Sequence, residues 1–401
     1  MRKIVIKNIG PLETVEIDLA RVNVIIGPQS SGKSCVLKIA CFCTWVEKKI
    51  ELAQSVGDFA KDDYFIQELT RFHKLYGYFK KDSYIGYESD YLKFSYDAAS
   101  GKFDFKWKKK RWDYLRLKVS YIPAERNMVA AIPNWFDVKL YNDNIQSFMA
   151  DWDRARKTCT DYVDILNLGV SYKYDEQAKK DIVKVDNDAT LELTNTSSGL
   201  QSLIPLFVHL GYIGNLHNLQ NEAQSYANRQ LSESFLQTMY EELYKKKGKT
   251  GATQHGTSIN NDGKQQVSAS FTIANIGPFL LDFSNQKYAD ECKEIYDRYV
   301  KTHHADIFLE EPENNLFPPT QVRLVDWLLK LTEGEHGACL FVATHSPYMM
   351  TAFLERELKD FKLFFEKKNG KKSTVVTASK SDVQEIYDDG IDVFYNIESY
   401  T

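Results

Sequence analysis

Apolar residues recur along this chain with two spacings, and the switches between them mark out its elements. Ile4-Val5-Ile6-Lys7 and Thr14-Val15-Glu16-Ile17-Asp18-Leu19 read as two strands joined by a Gly10-Pro11 turn. Val22-Asn23-Val24-Ile25-Ile26 reads as a buried strand. From Lys33 to about Lys49 the apolar positions adopt helical spacing, and a second helical piece lies near Asp62 to Leu75. Period two returns in Tyr84 to Tyr87, Tyr91 to Tyr96 and Lys102 to Trp107, with the turn Ala98-Ala99-Ser100-Gly101 between the last two. This stretch predicts an antiparallel β-subdomain over 84–118.

Lys118 to Pro123 is a further buried strand, ending in Ala124-Glu125-Arg126. Ile145, Phe148, Met149, Trp152, Cys159 and Tyr162 keep the three/four spacing of one apolar face, which predicts a helical segment over 138–168. Val170 to Val185 reads as a hairpin turning at Asp175 to Lys180, and Thr190 to Leu193 as a short strand. Leu203 to Ile213 is strongly apolar, and helical patterns continue to about Lys247 and again from about Gln286 to Thr302. Between them Gly248 to Gln266 is polar and rich in breakers. The prediction for 203–302 is therefore a helical insertion with a flexible loop at about 248–266. Two more buried strands follow, Ala305 to Leu309 and Cys339 to Thr344, and Phe353 to Thr401 has room for a small helix and a few strands.

Composition narrows the class without choosing a function. With 401 residues, 43% hydrophobic and 26% charged, the chain can bury a sizeable core. A net charge of -4 supplies no global drive toward nucleic acid. The 6 cysteines contain no C-x-x-C pair and no His at metal spacing, so reduced thiols are expected, with Cys41 and Cys43 buried on a helix. No apolar run reaches the roughly 18 residues of a membrane span, and the expectation is a soluble, cytoplasmic protein. One stretch is locally basic and aromatic, Lys106 to Lys118. It reads either as a surface that stacks bases and holds phosphates, or as a strand followed by a solvated turn.

Chemistry concentrates in four places. Gly27-Pro28-Gln29-Ser30-Ser31-Gly32-Lys33-Ser34 is a complete G-x-x-x-x-G-K-[ST] loop between a strand and a helix. Its glycines allow main-chain N–H groups to converge on phosphate oxygens, Lys33 adds a cation and the Ser34 hydroxyl can ligate Mg²⁺. The helix N-terminus, with Cys35 in its first turn, faces the same anion. Ala305 to Glu310 is an apolar strand ending in Glu310-Glu311, where one acid can hold Mg²⁺ and the next can polarise an attacking water. His345 ends the strand after that, within reach of a γ-phosphate. Thr194 to Ser202 caps the helix at 203–213, and its Ser-Gly-x-Gln set, Ser198, Gly199 and Gln201, is a second place to hold phosphate oxygens.

In this order, with Ser-Ser-Gly-Leu-Gln, Phe-Leu-Glu-Glu-Pro-Glu-Asn-Asn-Leu-Phe-Pro and Ala-Thr-His-Ser-Pro-Tyr, the chain resembles ABC-type ATPase heads. Within them it is most similar to the stand-alone group related to SMC and RecF proteins and to the ATPase half of OLD-family and Septu-type anti-phage systems. The resemblance implies an α/β P-loop NTPase fold with a mixed central sheet, forming a single head over 1–401. It makes Gly27, Gln29, Ser30, Ser31, Gly32, Lys33, Ser34 and Cys35 the nucleotide-binding loop. Ser198, Gly199 and Gln201 become the signature that reaches the nucleotide of a second protomer, Ser34 and Glu310 the Mg²⁺ ligands, and Glu311, His345 and Lys33 the catalytic groups. Glu313 to Leu316 matches the D-loop.

Two positions depart from the family pattern: Leu200 stands at the second signature glycine and Glu310 at an aspartate. The lid position holds no Gln, so Glu125 or Arg126 would substitute there. The resemblance further implies ATP and Mg²⁺, a head-to-tail homodimer, and a separately encoded effector such as a nuclease in phage defence. Its alternative is a RecF- or SMC-like repair ATPase whose nucleotide state controls DNA binding.

Overall fold

The computed structural model describes residues 2–132, 134–139, 141–186, 189–221, 226–251, 253–259, 265–356, 358–370 and 372–389. Strands β1 (Arg2–Ile9) and β2 (Leu12–Leu19) form the expected hairpin, and β3 (Val22–Ile26) leads through the glycine loop into α1 (Lys33–Ala53). Next come α2 (Tyr64–His73), β4 (Phe79–Glu88), β5 (Leu92–Asp97), β6 (Lys102–Trp107) and β7 (Leu117–Ile122). The one-turn α3 (Met128–Ala131) and α4 (Asn144–Arg156) precede a small sheet of β8 (Val163–Asp164), β9 (Val170–Asp175), β10 (Lys180–Val185) and β11 (Thr190–Glu192). Helices α5 (Ser198–Ile213), α6 (Leu216–Asn221) and α7 (Tyr226–Tyr240) follow. The chain continues through β12 (Thr253–Ile259), β13 (Gln265–Ser270), β14 (Thr272–Ile276), β15 (Phe279–Phe283) and α8 (Gln286–Val300). It closes with β16 (His304–Glu310), α9 (Pro318–Lys330), β17 (Cys339–Ala343), α10 (Pro347–Leu354), β18 (Phe361–Asn369), β19 (Lys372–Thr377) and α11 (Lys380–Asp389).

Eleven strands make one sheet, in the order β6-β5-β4-β1-β2-β19-β18-β3-β17-β16-β7. From β18 to β7 every neighbouring pair is parallel. From β6 to β2 every pair is antiparallel, and β19 joins the halves, antiparallel to β18 and parallel to β2. The parallel half is apolar on both faces because both are covered. Val22, Val24 and Ile26 of β3 pack with α4, α5, α9 and α10, whereas Ile25 packs with α1 on the other face. A glycine loop between the central parallel strand β3 and helix α1 in a mixed sheet is the arrangement of the P-loop NTPase fold. Among the described residues no helix is long and apolar enough to cross a membrane.

Five sequence expectations change in detail. The antiparallel strands read as a subdomain over 84–118 are an arm of the main sheet, joined through β1 and β4, while Leu117 and Lys118 belong to β7 at the opposite edge. The helix expected over 138–168 is α4, Asn144–Arg156. Cys159 and Tyr162 lie beyond it: the N–H of Tyr174 bonds to the Cys159 carbonyl and Val163 pairs with Tyr172, so strand pairing replaces a further helical turn. The insertion at 203–302 is mixed rather than helical, since β12 pairs with β13 and β14 with β15. Much of the loop expected at 248–266 is therefore the β12–β13 hairpin; residues 252 and 260–264 of it lie outside the described residues. The segment after Phe353 places β18 and β19 in the middle of the sheet, beside β3 and β2, and its residues 390–401 lie outside the described residues.

Candidate nucleotide-binding site

The register of the parallel half brings five separated pieces of sequence to one edge. Phe365 pairs with Ile26, Ala343 with Ile25, Glu310 with Ala343, and Ile122 with Leu309. Residues just past those pairs are Glu366, Gly27, Thr344-His345, Glu311 and Pro123. All but Glu366, which lies within β18 just past its pairing with β3, stand at the C-terminal ends of adjacent parallel strands, where open α/β sheets hold ligands.

The phosphate loop shows the geometry its residue types predict. Ser30 has φ +58° and Gly32 φ +129°, so the chain turns through the left-handed region twice within three residues. The N-cap residue of α1, Gly32, offers no side-chain cap, and the first N–H of the helix, that of Lys33, already meets the anionic Glu366 carboxyl. Lys33 Nζ donates to the carbonyls of Gly27 at 2.9 Å and Pro28 at 2.7 Å. Burial pushes the Lys33 ammonium down to about 8, against the pull of Glu366, Glu311 and Glu313.

Opposite the loop, Glu310 is almost fully buried and its Oε1 has no hydrogen-bond partner. Burial pushes its carboxyl up, and Lys38, Tyr121 and Ser34 oppose that rise. An orphaned carboxylate oxygen facing a serine hydroxyl is a hard-oxygen donor pair, so Ser34 and Glu310 fit a magnesium ion. Glu311 has φ +41°, a strained value for a residue with a β-carbon, and its N–H donates to the Ala343 carbonyl at 2.8 Å. That twist turns its carboxylate to within 3.5 Å of His345 Nε2, both side chains being about one-third exposed (34% and 30%). The His345 N–H donates to Glu313 Oε1 at 2.6 Å, which fixes the turn after β17. Burial and the Lys33 charge lower the His345 pKa, favouring the neutral ring.

Two expected site residues play other parts. Arg126 is fully buried, and its guanidinium donates to the carbonyls of Glu310, Glu311 and Pro312 at 3.0, 2.9 and 3.1 Å. It is a strut beneath the acidic turn and not a lid; the exposed Glu125 is left at that position. Gln201 donates to the carbonyls of Thr194 and Thr196, so it holds its own loop rather than pointing outward. Ser198 is exposed at the N-terminus of α5. A β-carbon on Gly199 would lie 3.0 Å from the Asn315 carbonyl, and Asn315 Nδ2 donates to Ser202 Oγ at 2.8 Å, so the signature rests on the D-loop. No hydrogen bond joins Ser198 or Gly199 to the phosphate loop of the same chain among the described residues.

The basic stretch is mostly committed to internal contacts. Arg111 stacks on Trp107 and Trp112 and pairs with Gln54 and Glu242, Lys108 pairs with Glu88, and Lys118 pairs with Asp151. Lys106, Lys109 and Lys110 remain exposed.

Sequence reasoning passed over Arg126 as a strut and Glu366 altogether. Glu366 ends the apolar run Leu363-Phe364-Phe365, just as Glu310 ends Ile307-Phe308-Leu309. A lone acid closing a buried strand was the available signal. His304, Asp306 and Cys339 also bring three potential ligand atoms within 4.8 Å, at the other end of β16 and β17. Arg2 pairs with Asp306 there, so the positive charge at that place is a guanidinium.

No family model matches the chain, and no curated protein matches it in sequence. Solved structures do. An SMC head domain from Thermotoga maritima is 12% identical with TM-score 0.42, covering 94% of this chain and 98% of that one. An Smc head bound to the C-winged helix domain of ScpA is 10% identical with TM-score 0.41, covering 96% and 99%. An Smc head with an extended coiled coil, bound to the C-terminal domain of ScpA from Pyrococcus furiosus, is 9% identical with TM-score 0.41, covering 97% and 99%. At such identities and TM-scores, the functional reading rests on the site's own geometry.

Proposed function

We propose that this protein binds ATP in the loop Gly27–Ser34 and hydrolyses it. The observation that carries the reading is the meeting of that loop with Glu310, Glu311 and His345 at the ends of adjacent parallel strands, with Glu311 and His345 side by side at 3.5 Å. Main-chain N–H groups of Gln29 to Cys35 and the Lys33 ammonium hold the phosphates. Ser34 and Glu310 hold Mg²⁺, which supplies charge neutralisation on the β/γ oxygens. The Glu311 carboxylate accepts a proton from the attacking water, and neutral His345 donates to or orients the γ-phosphate. Arg126 keeps the Glu310–Pro312 main chain in place while this happens.

Ser198 is exposed, Gly199 is half-buried, and neither is hydrogen-bonded to the loop Gly27–Ser34 of its own chain among the described residues, which suits a role across a dimer. Phe317, 74% exposed beside the D-loop, supplies apolar surface on the same side. In this reading two protomers close head to tail over two ATP molecules and open on hydrolysis. The resemblance to OLD- and Septu-type ATPases extends the proposal to control of a separately encoded effector, a nuclease, in phage defence.

The test is Glu311→Gln. Turnover, followed as phosphate release, should fall by roughly a hundredfold or more, and light scattering should show an ATP-dependent dimer that persists. Turnover at the wild-type rate would overturn the assignment.

A further inference from the structure

Against the loop Gly27–Ser34 stands Glu366, in contact with Ser31, Gly27 and Gly32. It is fully buried, one residue past the Phe365–Ile26 pair that joins β18 to β3. Ser31 Oγ donates to Glu366 Oε2 at 2.5 Å. A β-carbon on Gly27 would lie 2.7 Å from the Glu366 β-carbon, and one on Gly32 would lie 2.7 Å from Glu366 Oε1. Glu366 thus leaves no room for a β-carbon at either glycine of the loop. Oε1 itself is buried without a hydrogen-bond partner.

We propose that Glu366 is a positioning residue for the phosphate loop: it anchors Ser31, seats Gly27 and Gly32, and takes up a proton when the nucleotide's phosphates enter. This rests on the nucleotide-binding reading above. The Glu366 carboxylate and an incoming polyphosphate compete for the same Lys33 charge. A buried carboxylate oxygen with no donor is costly, and more so beside an incoming polyanion. A proton on Oε1 removes both penalties. The resting carboxyl is already close to the change, since burial pushes it up to about 7 against Ser31, Lys33 and Lys368. The charged or titratable groups that bear on it are Lys33 and Cys35 from α1 and Lys368 from its own strand, while Glu311 and Glu313 act on Lys33.

The sign follows from linkage. Bound phosphate raises the Glu366 pKa further, so below about pH 7 the group is protonated in both states and affinity is flat. Above that pH the free protein must gain a proton in order to bind, and affinity falls about tenfold per pH unit until the bound-state pKa is reached.

A fluorescent ATP analogue titrated against the full chain from about pH 6 to 9 tests this, with calorimetry in buffers of different ionisation enthalpy. The wild type should lose about fivefold in affinity between pH 7 and 8 and take up a proton on binding. Glu366→Gln should lose that step and the proton uptake, keeping only the dependence that Lys33 and the nucleotide's own titration impose on both proteins. Glu366→Asp should restore part of it. Parallel profiles for wild type and Glu366→Gln, or no proton uptake by the wild type, would overturn the role of Glu366 alone. Absence of nucleotide binding by the wild type would overturn it together with the reading it rests on; Lys33→Ala supplies the matching non-binding control.

Discussion

Strands β16 and β17 carry a carboxylate and a histidine at each end, and the two ends treat them differently. At the N-terminal end Asp306 is buried and answered by Arg2, with His304 Nε2 3.5 Å from Asp306 Oδ1. At the C-terminal end Glu310 is buried to a similar degree, yet among the described residues no arginine or lysine forms an ion pair with it, Lys38 acting only through its charge, and Glu311 faces His345 across 3.5 Å. Arginine is present there too, but Arg126 spends its donors on main-chain carbonyls and leaves the carboxylates alone. The difference teaches where the molecule tolerates electrostatic cost. One end neutralises its buried charge internally, as structure requires. The other leaves it without such a partner, which is what the proposed binding of a cation and a polyphosphate requires.

That contrast can be broken at either end. The largest effect is expected for Glu310→Gln, which should lower Mg²⁺-dependent turnover by about a hundredfold or more. The same change should raise unfolding stability by roughly 1 kcal/mol, because a neutral amide replaces an unpaired buried carboxylate. Urea unfolding and phosphate release on one preparation measure both, and a stability loss would contradict the contrast. Next, Asp306→Asn should destabilise the fold by about 3 kcal/mol, since it strands the Arg2 charge. Turnover per folded molecule should stay near wild type. Replacing both partners together, with Arg2→Met and Asp306→Leu, should recover most of that loss. Smallest of all, Lys3→Ala breaks an exposed pair with Glu16 on the same hairpin as Arg2 and should leave the urea midpoint close to that of the wild type.

Much of the catalytic edge was legible because its pieces are local. The phosphate loop, the Glu310-Glu311 strand end and His345 each announce themselves within ten residues of sequence, and strand-helix punctuation places them. What stayed hidden depends on contacts between distant segments. Arg126 reads as a candidate lid until its three carbonyl partners, some 185 positions away, are seen. Glu366 is separated from Ser31 by 335 positions, and only the pairing of β18 with β3 makes them neighbours. The 248–266 stretch misled for another reason. Its glycines and polar residues report solvent contact, and a hairpin with one irregular step between Gln254 and Gly256 satisfies that as well as a loop does. The basic run at 106–118 misled because charge and aromatic content do not say whether a guanidinium faces water or, like Arg111, lies over two indoles.

The placement of β3 has a consequence for how the molecule is made. Its two partners in the sheet are β17 and β18, whose residues begin more than three hundred positions later. During synthesis the phosphate loop leaves the ribosome early and waits for almost the whole chain before either neighbour exists. Pairing of this kind has a high contact order and is slow, and it leaves an apolar strand exposed in the nascent chain. The hairpin of β1 and β2 and the arm of β4 to β6 can form meanwhile from nearby residues. The candidate site is thus assembled only after segments more than three hundred positions apart have been translated, so a product stalled before β17 carries the complete loop sequence without its neighbours.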